Sequence, residues 1–290
     1  MIIQKSFAND SAKLYLVATP IGNLGDITFR AIETLKMVDY IACEDTRVTL
    51  KLLNHFDIKK PLISYHEHNK LTAGSGIIKK LQEGFNVALV SDAGTPCISD
   101  PGHELVRLAI DNDIDVVSIP GASAVITALT TSGIAPQPFT FIGFLDHKKS
   151  EKRKQLEALK YHPYTMVFYE SPYRFRETIE LMSDIFGERT VAICRELTKK
   201  YEEIYRGLVN DVNSYYEEIK GEIVIVVEAN QHPQVPNTSL LEEMDITEEV
   251  DYYINEFGMS KSEAIKRVAD EMGVAKRIIY NYYHRQERLN

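Results

Sequence analysis

Val87-Ala88-Leu89-Val90-Ser91-Asp92-Ala93-Gly94-Thr95-Pro96-Cys97-Ile98-Ser99-Asp100-Pro101-Gly102 is the stretch that decides the fold. It begins as an apolar run with two β-branched valines, as a strand buried on both faces does. It breaks at Asp92 into a loop carrying Gly94 and Pro96. It resumes as a helix at Pro101, with Asp100 placed as N-cap to accept the first free N–H groups. A strand, a loop and a helix in this order put the loop at the carboxyl end of a sheet strand, where open α/β sheets bind ligands. The loop is also longer than a plain βα connection needs.

The same alternation runs on both sides of it. Strands are expected at 14–18, 39–43, 62–65 and 116–119. Helices are expected at 28–37 (Phe29, Ile32, Leu35 and Met37 inward), from Thr46 to about Phe56, at 71–82, at 101–112 and from about Ala124 to Thr131. Alternating strands and helices mean a parallel sheet covered on both faces. Three polar loops with Gly and Pro, 19–26, 91–100 and 120–124, then lie at strand carboxyl ends and form a pocket for a small polar molecule. None is a G-x-G-x-x-G fingerprint and no Walker A pattern occurs, so neither NAD nor nucleotide-triphosphate binding is supported.

Gly133-Ile134-Ala135-Pro136-Gln137-Pro138 interrupts the pattern and marks a domain boundary. Beyond it a mixed α/β unit is expected. Its strands are near 139–144, 165–169, 190–194, 203–207 and 223–227, and its helices run to about Tyr161, at 172–186 (Phe175, Ile179, Met182 and Phe186 inward) and at 209–219. Gln231 to Ser239 reads as a linker. Helices follow, one capped by Thr247, one opened by the capping box Ser260-Lys261-Ser262-Glu263, and one from Val274 to Tyr283 after a turn at Gly273. Helix, glycine turn and helix outline a helix-turn-helix, or equally a docking hairpin. The expected domains are 1–135, 136–230 and 231–290.

Composition agrees with this size and class. At 290 residues the chain exceeds what one core usually supports, and 44% hydrophobic with 26% charged residues is typical of a soluble globular protein. No stretch of about twenty apolar residues would span a membrane. The first residues lack the features of a secretory signal, and Cys43, Cys97 and Cys194 are spaced neither for zinc nor for a disulfide framework, so a reducing cytoplasm is expected. His66 and His68, beside Glu67, read as surface residues, and no metal is implied. A net charge of −9 excludes a uniformly basic nucleic-acid coat. Two local basic clusters remain: His147 to Lys154, and the terminal helices with Lys261, Lys266, Arg267, Lys276, Arg277, Arg285 and Arg288.

Six ordered motifs carry a resemblance. They are Ala18-Thr19-Pro20-Ile21-Gly22-Asn23-Leu24-Gly25-Asp26-Ile27-Thr28, Glu44-Asp45-Thr46-Arg47, Ser91-Asp92-Ala93-Gly94-Thr95-Pro96, Pro120-Gly121-Ala122-Ser123, Tyr169-Glu170-Ser171-Pro172 and Arg195-Glu196-Leu197-Thr198-Lys199. With them the chain resembles, from about Leu14 to Val227, the tetrapyrrole methylase-like class of S-adenosylmethionine-dependent methyltransferases. Within that class it is similar to a family of bacterial methyltransferases of small-subunit ribosomal RNA. Two departures stand out: Tyr173 where histidine is commoner, and Cys97, read as a packing swap, where an aliphatic residue is usual.

The resemblance implies two α/β domains of tetrapyrrole methylase type plus a small helical C-terminal extension, a homodimer, and S-adenosylmethionine held between the α/β domains. It implies methyl transfer to the ribose 2′-hydroxyl of a cytidine in the decoding centre of 16S ribosomal RNA. By analogy, Pro20, Asp92, Ala93, Gly94, Ile98, Ser123 and Ala124 line one side of the cofactor, and Tyr169 and Arg195 close the other. The residues suit that ligand: Gly94 and Gly121 leave the backbone bare, Ala93, Ser123 and Ala124 are small, and Asp92 can accept from an ammonium or a ribose hydroxyl. Methyl transfer from a sulfonium depends on positioning, with a base to take the hydroxyl proton. The expected base is Glu44, Asp45 or Glu170. Arg47, Arg174, Lys199, Lys148, Lys149, Lys152 and Arg153 are the expected RNA contacts. A tetrapyrrole methyltransferase and a ligand-sensing regulator are the alternatives. Neither needs this combination of basic cluster and aromatic, apolar terminal helix.

Overall fold

The apolar runs form two five-stranded sheets in a computed structural model, which describes residues 3–216, 218–230 and 246–286. The first sheet contains β1 (Leu14–Val17), β2 (Tyr40–Cys43), β3 (Leu62–Ser64), β4 (Val87–Val90) and β5 (Val116–Ile119). Its order is β3-β2-β4-β1-β5, with every pair parallel. All four residues of β4 are buried, as its unbroken apolar run requires. Helices α1 (Phe29–Met37) and α2 (Thr46–His55) cover one face through Leu35 and Leu53. Helices α3 (Lys70–Gln82) and α4 (Gly102–Asp111) cover the other through Ile77, Leu81, Leu105 and Ala109.

This strand order sets the loops after β4, β1 and β5 side by side. Thr19 and Gly94 exchange both backbone hydrogen bonds, at 2.9 and 3.1 Å, and the Thr95 hydroxyl donates to the Ala122 carbonyl at 3.2 Å. Three separate connections become one rim.

The second sheet contains β6 (Phe139–Phe144), β7 (Thr165–Glu170), β8 (Thr190–Arg195), β9 (Glu203–Leu208) and β10 (Ile223–Val227), in the order β6-β7-β10-β8-β9. Only β6 and β7 run parallel. Helix α7 (Pro172–Phe186) buries Phe175, Ile179, Met182 and Phe186 against one face, beside α6 (Lys149–Ala158). Helix α5 (Ala124–Thr131), although it follows the first sheet, lays Val125, Ala128 and Leu129 on the other face against Val167, Ala192, Val224 and Val226. Burying a residue such as Leu129 contributes roughly 1.5–3 kcal/mol. Arg206 of β9 donates to the carbonyls of Thr131 and Ser132, satisfying the free end of α5. The two sheets thus share one compact unit, residues 1–230.

The structure departs from the sequence reading at several places. Phe29 is 88% exposed and Met37 50% exposed, because α1 turns Ala31, Thr34 and Leu35 inward. Pro101, not Asp100, holds the N-cap position of α4. The Asp100 carboxylate accepts from both Cys97 and Gly102 N–H groups, and so folds the loop back on itself. The helix expected at 209–219 is a short 3-10 turn and α8 (Val212–Tyr215), with Ile219 outside it. Cys97 packs against the core of the first sheet as a packing swap would, although with its backbone in the left-handed region at φ 72°.

The second unit is described by itself. Helices α9 (Ile246–Phe257), α10 (Lys261–Glu271) and α11 (Lys276–Gln286) enclose a small core of Val250, Ile265, Val268 and Ile279. Thr247 lies within the first turn of α9 rather than ahead of it. The capping box is present, with Ser260 N–H donating to Glu263 at 3.0 Å and Glu263 N–H to the Ser260 hydroxyl at 3.4 Å. The linker expected at 231–239 lies outside the described residues.

Candidate active site

The rim of the first sheet faces the second across a cavity of about 460 Å³. Asp92, Ala93, Gly94 and Ile98 line it from the loop after β4, and Ser123 and Ala124 from the start of α5. Tyr169, Glu170 and Pro172 close it from the end of β7, and Leu197 and Gly221 to Val224 from the β8 and β10 side. Gly221 to Val224 escaped the sequence reading. Because β10 runs antiparallel to β7 and β8, its first residue, Ile223, pairs with both Glu170 and Arg195, which brings the start of one strand to the ends of two others. Gly221 must be a glycine there: its φ is 90°, and a Cβ would stand 2.5 Å from the Glu196 side chain.

Charge distinguishes this cavity. Glu44, Asp92, Asp100, Glu170 and Glu222 line it, and among the described residues no lysine, arginine or histidine does. Glu170 is paired with Arg174 at 2.8 Å, and Glu222 with Lys199 at 3.0 Å. Glu44 makes no side-chain hydrogen bond or ion pair among the described residues. Burial, then the neighbouring Asp92 and Asp100 charges, push the Glu44 carboxyl above its ordinary range. Burial, outweighing two backbone hydrogen bonds, does the same to Asp100, with Asp92 adding to it. Such a surface favours a positively charged ligand and disfavours phosphates.

Asp45 and Glu170 are differently engaged. Asp45 is the N-cap of α2, accepting from Arg47 N–H at 2.8 Å and pairing with the Arg47 guanidinium at 2.6 Å. Those Arg47 hydrogen bonds hold its carboxyl down to about 2. Glu170 is 3% exposed and accepts from Ser171 N–H, the Thr178 hydroxyl and Arg174. Thr178 in turn accepts from Lys152 at 3.0 Å, and Lys152 pairs with Glu177 at 2.9 Å. Lys152 is therefore an interior cation with no exposed surface, out of reach of RNA, although its neighbours in sequence suggested a solvated cluster.

The remaining expected residues separate in the same way. Arg195 does not line this cavity, since its guanidinium is paired with Glu203 at 2.6 Å. Gly121 does not border the cavity either, and its missing side chain makes room for Ala18. Arg174, mostly buried, is held by Glu170 and the Leu145 carbonyl. Lys148, Lys149 and Arg47 are exposed, and Arg153 pairs with Asp184 at the surface. Tyr173 stands 97% exposed beside Pro172, where no buried histidine function is possible.

A second cavity, about 320 Å³, adjoins the first and shares Ile21, Ser91, Asp92, Ala93 and Glu222 with it. Pro20 lines this one, together with Gly22, the α2 face of Val48, Thr49, Lys51 and Leu52, and Lys199. The Lys199 ammonium is held by Glu196 at 2.8 Å and Glu222, while its stem lies where a Cβ on Gly22 would be, 2.5 Å from Lys199 Cγ. This lysine latches the loop after β1 to the second sheet.

Known proteins share this architecture and sequence. The model of the tetrapyrrole (corrin/porphyrin) methylases matches residues 13–213. The ribosomal RNA small subunit methyltransferase I of Halalkalibacterium halodurans is 52% identical over 280 residues, covering 96% of each chain. The protein of that name from Bacillus subtilis is 51% identical over 95% of each, and that of Synechocystis 44% identical over 92% of this chain and 95% of its own. Among solved structures, a cobalt precorrin-4 methyltransferase aligns at a TM-score of 0.57 and 18% identity over 74% of this chain and 94% of its own. A Thermus thermophilus uroporphyrin-III C-methyltransferase in complex with S-adenosyl homocysteine aligns at 0.53 and 18%, over 75% and 97%. At those identities the likeness is one of fold. Two sheets closed around a shared cavity, a family model over most of the chain and end-to-end similarity to named relatives lead to one conclusion: the chain belongs to the tetrapyrrole (corrin/porphyrin) methylase family, among its ribosomal RNA small subunit methyltransferase I members.

Proposed function

We propose that this protein transfers a methyl group from S-adenosylmethionine to small-subunit ribosomal RNA, the acceptor being the ribose 2′-hydroxyl of a cytidine in the decoding centre of 16S RNA. The observation that carries this reading is a cavity lined by carboxylates, with no cation among the described residues that line it, in a chain matching such methyltransferases over nearly its whole length. The cofactor is a cation at its sulfonium and again at its ammonium. Asp92 and Asp100 offer those charges acceptors, Ala93, Gly94, Ser123 and Ala124 leave space, and Tyr169, ringed by Phe141 and Phe144, gives an apolar wall. When bound, S-adenosylmethionine supplies an electrophilic methyl group on a sulfur that leaves neutral.

The chain's own part is to position and to take a proton. A hydroxyl is a weak acid, so its proton must pass to a base as the new carbon–oxygen bond forms and the carbon–sulfur bond breaks. Glu44 is the carboxylate free to accept it; Asp45 is engaged as a cap and Glu170 by three donors. Closure of the second sheet over the rim excludes water and holds both partners. Arg47, Lys148 and Lys149 are the exposed cations for RNA phosphate, with Arg153 available by exchange of a surface ion pair. The working form is a cytoplasmic homodimer with catalytic halves at 1–135 and 136–230. Residues 231–290 add RNA affinity.

The test is methyl transfer from labelled S-adenosylmethionine to small ribosomal subunits from a strain lacking the gene, with the product mapped by nuclease digestion. Label on the ribose of one decoding-centre cytidine is the expected result. Cofactor binding without label on RNA would point to a small-molecule acceptor, and no cofactor binding at all would refute the assignment of the larger cavity.

A further inference from the structure

We infer that the smaller cavity is the acceptor site, taking one nucleoside of an RNA chain with its phosphate, next to a cofactor held in the larger cavity. This rests on the proposed function, and three independent observations support it. The first is adjacency: Ser91, Asp92 and Ala93 face both cavities, so occupants of the two would meet across that one ridge. A transfer between two bound molecules needs such contact.

The second is charge. Among the described residues no cationic side chain lines the larger cavity, whereas Lys51 and Lys199 line the smaller one, beside Asp92 and Glu222. Lys199 is held by two carboxylates, but Lys51 is exposed and makes no ion pair among the described residues. The pair of cavities is thus polarised, with the anionic wall for a sulfonium on one side and a free ammonium for a phosphate on the other.

The third is the wall itself. Leu24 and Val48, 41% and 39% exposed, present apolar surface at the mouth of this cavity, and Leu52 lies one turn along from Val48 on α2. An unstacked base needs such surface, and RNA is read where bases leave the helix. The volume, about 320 Å³, is at the small end of ligand sites.

The test uses two variants of the full-length protein, Lys51→Glu and Leu52→Trp. Each is measured for S-adenosylhomocysteine binding and for KM toward small subunits from the strain lacking the gene, against wild type. Lys51→Glu should raise KM roughly tenfold and lower the salt slope of RNA binding by about 1. Leu52→Trp should block the site. S-adenosylhomocysteine affinity should stay within about twofold in both, which also shows that they fold. Parallel loss of both affinities would assign the cavity to the cofactor, and unchanged RNA parameters in both would place the acceptor elsewhere; either overturns the inference. If wild type itself labels no RNA, the proposed function fails, and the nucleoside identity with it.

Discussion

Replacing Thr178 by valine tests whether the interior polar chain holds the floor of the active site. Thr178 has no exposed surface; its hydroxyl accepts from Lys152 at 3.0 Å and donates to Glu170 at 2.6 Å. Valine has the same shape and can do neither. Both lost bonds are to charged groups, each contributing about 1.5–3 kcal/mol. Neither charge is left alone, since Lys152 keeps Glu177, and Glu170 keeps Ser171 N–H and Arg174. The cost therefore stays below that of isolating a buried ion, and we expect about 3 kcal/mol, the lower end of two charged bonds. For a unit of this size that lowers the melting temperature by roughly 6–12 °C, measured by calorimetry or circular dichroism on the full chain. Thr178→Ser keeps both bonds and should recover most of the loss, short of about 0.8 kcal/mol for the missing methyl. A Thr178→Val protein within about 0.5 kcal/mol of wild type would refute the reasoning, because a surface substitution does no more than that.

Three further outcomes are expected. Glu44→Gln should lower kcat by roughly 10²–10⁴-fold with S-adenosylhomocysteine affinity little changed, and the wild-type rate should fall as pH drops through a Glu44 pKa lying above the ordinary 4.5. Equal kcat in the variant would remove Glu44 from the chemistry. Gly22→Ala should destabilise the protein by driving the Lys199 stem away from Glu196 and Glu222, and the effect should shrink in a Lys199→Ala background; additive losses in the double-mutant cycle would show that the two do not touch. The Asp45 carboxyl, held at about 2 against 3.8 when free, contributes stability that is present above its free value and lost as pH falls toward 2. Asp45→Asn should therefore flatten the acid limb of the stability profile, which a pH series of melts would reveal.

The rim of the first sheet was legible in sequence because its signals are local. An apolar run breaking into a Gly/Pro loop needs no partner to be recognised, and the loops after β1, β4 and β5 occupy one edge. The failures share a cause, dependence on what comes from far along the chain. Lys152 sits in a run of charged residues, and only the arrival of Glu177 and Thr178 from α7 makes its position an interior one. Phe29 fits an inward stripe at helical spacing as well as Ala31 and Leu35 do; the small residues win because they let α1 approach the sheet. Arg195 belongs to a motif that reaches the cavity, but Glu203 on the neighbouring antiparallel strand takes its guanidinium and leaves Leu197 as the residue that lines the wall. The contribution of Gly221 to Val224 depends on strand direction, which hydropathy does not encode.

Four residues other than glycine have left-handed backbones in the loops flanking the larger cavity: Cys97, Ser99, Glu196 and Thr198, with φ between 52° and 72°. Each such conformation costs of order 1–3 kcal/mol, and most for a β-branched residue such as Thr198. Single changes to glycine at Ser99 and Thr198 would relieve that strain, at some cost in unfolded-chain entropy, whereas glycine at Glu196 would release Lys199 and at Cys97 would thin the core. A more stable sequence is thus within one substitution of this one, in loops whose stiffness the site uses. Directed evolution for heat resistance alone should find Ser99 and Thr198 early, and the proteins it returns should be slower, having exchanged firm walls for soft ones.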